Sequence, residues 1–407
     1  MAHLCTFYLL AMKTRRGWVW ALAAAVLCHG ASDAAAQGRG GGRGGGRGEQ
    51  RPPGFPWGRG DNNNPPERDK REIVIEPGRV TSEILCEADV NWSYRLYAPR
   101  NFTPERRWPV LFVIAPGGGT AQSARRYADG AEFNGFLVAI STQAGKSGKD
   151  DLKAFEAMIR DVRDRVPSDP RRFFFSGFAD GARLALNAAA APRDFAPAGV
   201  LACGDGDPAP LHPSPIPVYA LCGTNSPRRG NVARMFDPPG NPQWRLELFA
   251  GGHEWGEAED LSLGMTWLNA ANLRAAPSDR QDLLAEKARL EKSLAGLIRQ
   301  RRSDDIERAH DWAECLTLLT TPPDSAPGVL VPHPLALELR NDPRVKLYRE
   351  ARAEMLAFAT RFFGGEAGGG TPNAEVMLKA RALAFRYRDT RLRVFFERLG
   401  QSVLAER

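Results

Sequence analysis

The chain is poor in the residues that hold metals. Six cysteines and six histidines are spread over 407 residues, and no Cys-x-x-Cys pair or Cys/His spacing of a zinc site occurs among them. The sequence therefore gives no ground for a structural metal, and it calls for no cofactor. Long apolar runs are also missing. The run over 17–28 falls short of the about twenty apolar residues a membrane-spanning helix needs. It reads instead as a secretory leader, because Lys13, Arg15 and Arg16 precede it and Ala34-Ala35-Ala36 offers a small-x-small cleavage site before Gln37. Residues 1–36 are expected to be a signal peptide, with Met12 an alternative start. The mature chain is expected to be secreted, periplasmic or held in the cell envelope, without a transmembrane span. Four cysteines then remain, Cys86, Cys203, Cys222 and Cys315. They allow three disulfide pairings, and buried free thiols are an equally good reading, since Cys203 and Cys222 each close an apolar strand pattern.

What is present divides the chain into stretches of different character. Residues 37–71 run from Gly-Gly-Arg repeats through Pro52-Pro53 to Asn62-Asn63-Asn64-Pro65-Pro66. Such a composition cannot bury enough apolar surface to offset its chain entropy, so a disordered linker is expected. Arg-Gly-Gly tracts occur in RNA-binding tails, but behind an export leader a solvated tether is the better reading, and no specific nucleic acid is expected. The net charge of +7 speaks to solubility and loose association with anionic surfaces.

From residue 72 to residue 273 strand and helix patterns alternate. Apolar strand candidates lie at 93–98, 110–115, 136–141, 173–176, 198–203, 218–222 and 244–249. Helical stretches are clearest at 151–166, 181–191 and 257–272. Near-continuous apolar strands separated by helices imply a mostly parallel sheet with helices on both faces. After Leu273 only helical patterns follow, at 281–301, 304–319, 343–363 and 373–399, interrupted by Pro/Gly-rich breaks. Residues 274–407 are therefore expected to form an all-α domain.

Phe173-Phe174-Phe175-Ser176 runs directly into Gly177-Phe178-Ala179-Asp180-Gly181 and then an alanine-rich helical pattern. This is the strand-turn-helix setting of a G-x-S-x-G elbow, with alanine in the place of the serine. Trp92-Ser93-Tyr94-Arg95-Leu96-Tyr97-Ala98-Pro99, the strand before Gly117-Gly118-Gly119, the elbow, and Gly251-Gly252-His253-Glu254-Trp255 together resemble the α/β-hydrolase fold. Within it the chain most resembles secreted esterases of the polyhydroxybutyrate-depolymerase and feruloyl-esterase kind.

The resemblance implies an acyl-transfer site with a nucleophile at 179, a base at His253, an orienting acid and an oxyanion hole. The hole would use the N–H of Asp180 and one from Gly117, Gly118 or Gly119. Such esterases place the acid in the loop after the seventh strand, where this chain reads Gly223-Thr224-Asn225-Ser226; Ser226 is therefore a vacated acid position. Asp205 or Asp207, after the sixth strand, could take the role, although Gly204-Asp205-Gly206-Asp207 also reads as an ordinary polar turn. With Ala179 unable to attack a carbonyl, the expectation is an exported, esterase-like pseudo-hydrolase that binds an ester, polyester or carbohydrate-linked ligand. Two alternatives stand beside it. One is a working ester hydrolase with a non-standard nucleophile or acid. The other is a protein that meets a partner through its helical domain, for example around Arg386-Tyr387-Arg388 and Phe395-Phe396, with the hydrolase core as scaffold.

Overall fold

A computed structural model describes residues 11–14, 17–20 and 72–398, apart from 147, 149, 192–193, 207–215, 230–231, 233–242, 326–328 and 364–372. Two units make up the chain, Met1–Asp61 and Asn62–Arg407. In the first, β1 (Ala11–Thr14) pairs antiparallel with β2 (Gly17–Trp20). The rest of the expected leader and linker lies outside the described residues.

The second unit is built on one sheet of eight strands: β3 (Ile84–Leu85), β4 (Ser93–Tyr97), β5 (Trp108–Ile114), β6 (Leu137–Ser141), β7 (Ser168–Phe178), β8 (Gly199–Cys203), β9 (Val218–Gly223) and β10 (Trp244–Phe249). Their spatial order is β10-β9-β8-β7-β5-β6-β4-β3. All neighbours run parallel except at β4, which is antiparallel to both β3 and β6. Parallel strands need helices on both faces, and the side chains divide accordingly. Leu111 and Val113 of β5 and Phe174 of β7 enter one core. Val110, Phe112, Ile114, Phe173 and Phe175 enter the other. The apolar runs that mark these strands in the sequence are thus strands buried on both sides.

Helices α1 (Ala121–Arg125) and α2 (Ala128–Asn134) follow β5, α3 (Asp151–Arg165) precedes β7, and α4 (Asp180–Ala190) leaves it. After β10 come α5 (Ala258–Arg274), α6 (Gln281–Asp304), α7 (Ile306–Thr320), α8 (Pro334–Arg340), α9 (Pro343–Phe363) and α10 (Asn373–Arg386). The expected helix over 373–399 is interrupted at residues 387–392 and helical again over 393–398; in the break the Thr390 hydroxyl donates to the Tyr387 carbonyl at 2.9 Å, a local bond that competes with helical pairing.

The expected C-terminal helical region is present, and it packs on the sheet. Leu290, Leu294 and Ile298 of α6 and Leu316 and Leu319 of α7 share one core with Leu201 of β8 and Leu221 of β9. On the opposite face, Tyr348, Met355 and Phe358 of α9 and Val376, Ala380 and Leu383 of α10 pack against Ala220 and Cys222 of β9 and Leu246 and Leu248 of β10. The α/β and helical parts on either side of residue 273 thus bury the same apolar surface. Tyr387, Phe395 and Phe396 are buried in that core.

Candidate functional site

Each parallel strand delivers its functional loop to the same edge, because the C-terminal ends of β5, β7, β8, β9 and β10 lie side by side. Ile114 pairs with Gly177, Phe178 with Cys203, Cys203 with Leu221, and Gly223 with Phe249. The glycine loop, elbow, Asp205, Ser226 and His253 follow immediately after those positions.

The elbow is sharply bent. Ala179 has φ 53° and ψ −122° and is the one non-glycine residue with positive φ among the described residues. A side chain there is strained by about 1–3 kcal/mol. The surroundings hold it in place: its N–H donates to the Cys203 carbonyl at 2.9 Å, and its carbonyl accepts from the Ala182 N–H at 2.9 Å. The two glycines leave room for the bend. A Cβ at Gly177 would collide with the Gly181 carbonyl, and one at Gly181 would sit 2.5 Å from the Ile114 carbonyl. The turn that lifts a nucleophile is thus intact, and its apex carries a methyl group. Ser176 does not replace the missing hydroxyl. It is buried, donates to the Leu201 carbonyl at 2.9 Å and bonds the Tyr127 hydroxyl at 3.0 Å.

His253 is exposed and lies against the residue before the apex, with its ring centroid 4.9 Å from that of Phe178. Trp255 stacks on the other side of this arrangement, 4.9 Å from Phe178 and 5.8 Å from Tyr127. His253 Nδ1 is 3.0 Å from Ser226 Oγ. The vacated acid position therefore faces the ring, but with a hydroxyl. Ser226 is wholly buried, and its Oγ also accepts the Arg228 N–H at 3.2 Å.

Asp205 is buried and engaged elsewhere. Its carboxylate accepts the Gly206 N–H at 2.8 Å and meets Arg228 at 3.1 Å and Arg183 at 3.4 Å. Arg183 also binds the Asp180 carboxylate at 2.6 Å. The ring of His253 takes Ser226 as its partner at Nδ1. Asp207 lies outside the described residues.

The glycine loop departs from its expected role. Gly117 N–H donates to the Gly145 carbonyl at 2.8 Å, Gly118 N–H to Ala115 at 3.1 Å and Gly119 N–H to Ser141 at 2.7 Å. With Gly117 and Gly118 at φ 73° and 90°, these amides hold a tight turn and offer no open donor. The Asp180 amide differs, since the first N–H groups of a helix lack a carbonyl one turn back.

Sequence reasoning missed Arg183 and Arg228, which neutralise Asp205, and the Phe178–Trp255 pair that supports His253. The Arg228-Arg229 pair beside Ser226 was the available signal. Among the described residues no group of acidic, histidine and cysteine side chains could hold a metal ion. All four described cysteines are free and buried, and burial pushes the Cys86, Cys222 and Cys315 thiols up to about 12. They are inert as nucleophiles.

An eight-stranded, mostly parallel sheet with this order, an elbow after its fifth strand and a histidine after its last define an α/β-hydrolase fold. No protein-family model and no curated protein matches the chain. Similar solved structures include an S-formylglutathione hydrolase from Staphylococcus aureus, at 11% identity over 48% of this chain and 99% of that one, with a TM-score of 0.38. Another is a mutant of the feruloyl esterase module from Clostridium thermocellum complexed with sinapinate, at 15% identity over 48% and 94%, with a TM-score of 0.38. A truncated carbohydrate esterase from gut microbiota is similar at 13% identity over 48% and 98%, with a TM-score of 0.36.

Proposed function

We propose that the protein is an exported pseudo-hydrolase, which keeps the scaffold of an esterase site, does not turn over esters and holds a ligand at the elbow. The observation that carries this reading is Ala179, a methyl group at an apex still held at φ 53°. Loss of a triad serine costs on the order of 10⁶ in turnover. The acid position is altered as well, since Ser226 carries no charge with which to stabilise an imidazolium. The glycine-loop amides, engaged within their own turn, give a developing oxyanion little help. Export rests on the composition of residues 1–36. Among the described residues no helix is long and apolar enough to cross a membrane. The ligand class that fits the resemblance is an ester, a polyester or its fragment, or a carbohydrate-linked acyl group.

One observation favours a second reading, a working hydrolase: Ser226 Oγ is hydrogen-bonded to His253, as a nucleophile is to its base. Burial weighs against it, because a hydroxyl with no solvent exposure cannot meet a carbonyl carbon. The mature protein is expected to resist fluorophosphonate labelling and to leave short p-nitrophenyl esters at their uncatalysed rate. Stoichiometric labelling at Ser226 would establish the second reading, and labelling of any residue would end the first.

A further inference from the structure

Helix α10 carries two apolar stripes, and the core takes only one of them. Val376, Ala380, Leu383 and Ala384 turn inward and are buried, which is the face a surface helix folds on. Leu378, Ala382 and Phe385 recur at i, i+4 and i+7 on the outer side and are exposed. Leu378 is 64% exposed and Phe385 73%. Large apolar side chains scattered singly over a surface call for no explanation, but a continuous row of them marks a contact.

Arginine surrounds this row. Arg381 lies within it, Arg386, Arg388 and Arg393 follow, and all four are exposed. The Arg388 guanidinium sits 5.2 Å from the centre of the Phe385 ring, and that of Arg386 is 5.2 Å from the ring of Tyr387. Neighbouring carboxylates offset these charges weakly. Glu350 is 3.9 Å from Arg386 and Asp389 is 3.7 Å from Arg388, with all four side chains more than half exposed, where such pairs contribute little. Arg393 meets Glu397 at 2.6 Å. Arg381 has no ion-pair partner among the described residues. The face is thus apolar along its middle and basic around it.

Size and charge decide what fits such a face. From 378 to 385 the row is about 10 Å long on one convex helix, far short of the roughly 800 Å² per partner of a stable protein interface. A lipid surface asks for less. There an apolar helix face sinks into the boundary between headgroups and acyl chains, while long basic side chains reach back to the headgroups. Surplus positive charge selects anionic ones.

We infer that α10 is a peripheral membrane contact, which adsorbs the protein reversibly to an anionic phospholipid surface through Leu378 and Phe385, with Arg381, Arg386 and Arg388 on the headgroup phosphates. The inference is independent of what the elbow binds. Co-sedimentation of the mature full-length protein with vesicles tests it, using phosphatidylglycerol mixed with phosphatidylcholine beside phosphatidylcholine alone, in about 0.1 M salt. At least tenfold tighter binding to the anionic vesicles is expected. Leu378→Ser with Phe385→Ser, and separately Arg381→Glu with Arg388→Glu, should each weaken it at least tenfold. All four side chains are exposed, so both variants should fold as the parent does. A second readout removes no charge: Phe385→Cys, labelled with an environment-sensitive dye, should shift its emission to the blue on the anionic vesicles. The four described native cysteines are buried and do not compete for the label. Equal binding to both vesicles, or a dye emission that does not move, would overturn the inference. So would anionic binding that either variant retains in full, which would place adhesion in the Gly/Arg-rich stretch before residue 72. Binding of polyglutamate in place of vesicles would assign the face to an acidic protein and overturn it as well.

Discussion

At Ala179 the backbone adopts a conformation whose benefit, in a working enzyme, is the oxygen it presents. Here the strain of about 1–3 kcal/mol remains, and the methyl group gains nothing from it. Glycine reaches the same φ and ψ without penalty, although it loses about 0.4–1 kcal/mol through the freer unfolded chain. Ala179→Gly is therefore expected to raise stability by about 1 kcal/mol, whereas the same change at buried Ala182 within α4 should lower it by about 1 kcal/mol. Denaturant titration of both variants checks this. Destabilisation by Ala179→Gly would mean that the elbow is not strained. The alanine itself was legible in the sequence, as was the position of His253. The bond from Ser226 to the ring was not, because it joins loops that follow different strands and only the sheet register aligns them. The closed glycine amides were equally hidden: three glycines in a row announce a turn, not the carbonyls that satisfy it.

Between β10 and the helices lies a buried charge network. Arg245 meets Glu314 at 2.7 Å and Asp311 at 3.4 Å, Arg352 meets Glu314 at 2.8 Å and Glu247 at 3.2 Å, and Arg391 binds Asp311. Tyr348 donates to Asp311 at 3.0 Å. Removing one member of such a set leaves a buried charge unpaired, at about 3–5 kcal/mol, so these side chains clamp α7 and α9 to the sheet edge. Glu307 at the margin of the network behaves oppositely to Glu314. Burial raises its pKa from 4.5 to about 7, with Asp305 and Asp311 adding to the shift, while the Arg391 N–H and guanidinium oppose it. A carboxyl whose folded pKa is raised contributes stability below its unfolded pKa and loses it as pH climbs through the folded value. Glu307→Gln should therefore match the parent near pH 4.5 and exceed it by roughly 1–2 kcal/mol at pH 8. Equal stability of the two at pH 8 would show that Glu307 stays charged without penalty.

The seven strands expected from the sequence all form, with ends displaced by a few residues, because each is an apolar run buried on two faces. The sequence hid β3, only two residues long, and the antiparallel direction of β4, since an apolar pattern carries no direction. The C-terminal helical region was legible from its patterns. The amphipathic stripe of α6 was visible, but not that its partner would be the sheet's own core. The C-terminal helices thus complete the packing of β9 and β10, and in the function we propose the elbow stands on that scaffold without its reactive atom. That claim is tested most directly by restoring the atom. Ala179→Ser, alone and with Ser226→Asp, should be assayed for p-nitrophenyl ester hydrolysis beside the parent. An intact scaffold predicts an inert parent and weak turnover from the single variant, limited by the missing acid, whose loss in a triad costs about 3 × 10⁴. A further rise is expected in the double variant. Folded variants as inert as the parent, or a parent as active as its variants, would contradict the account.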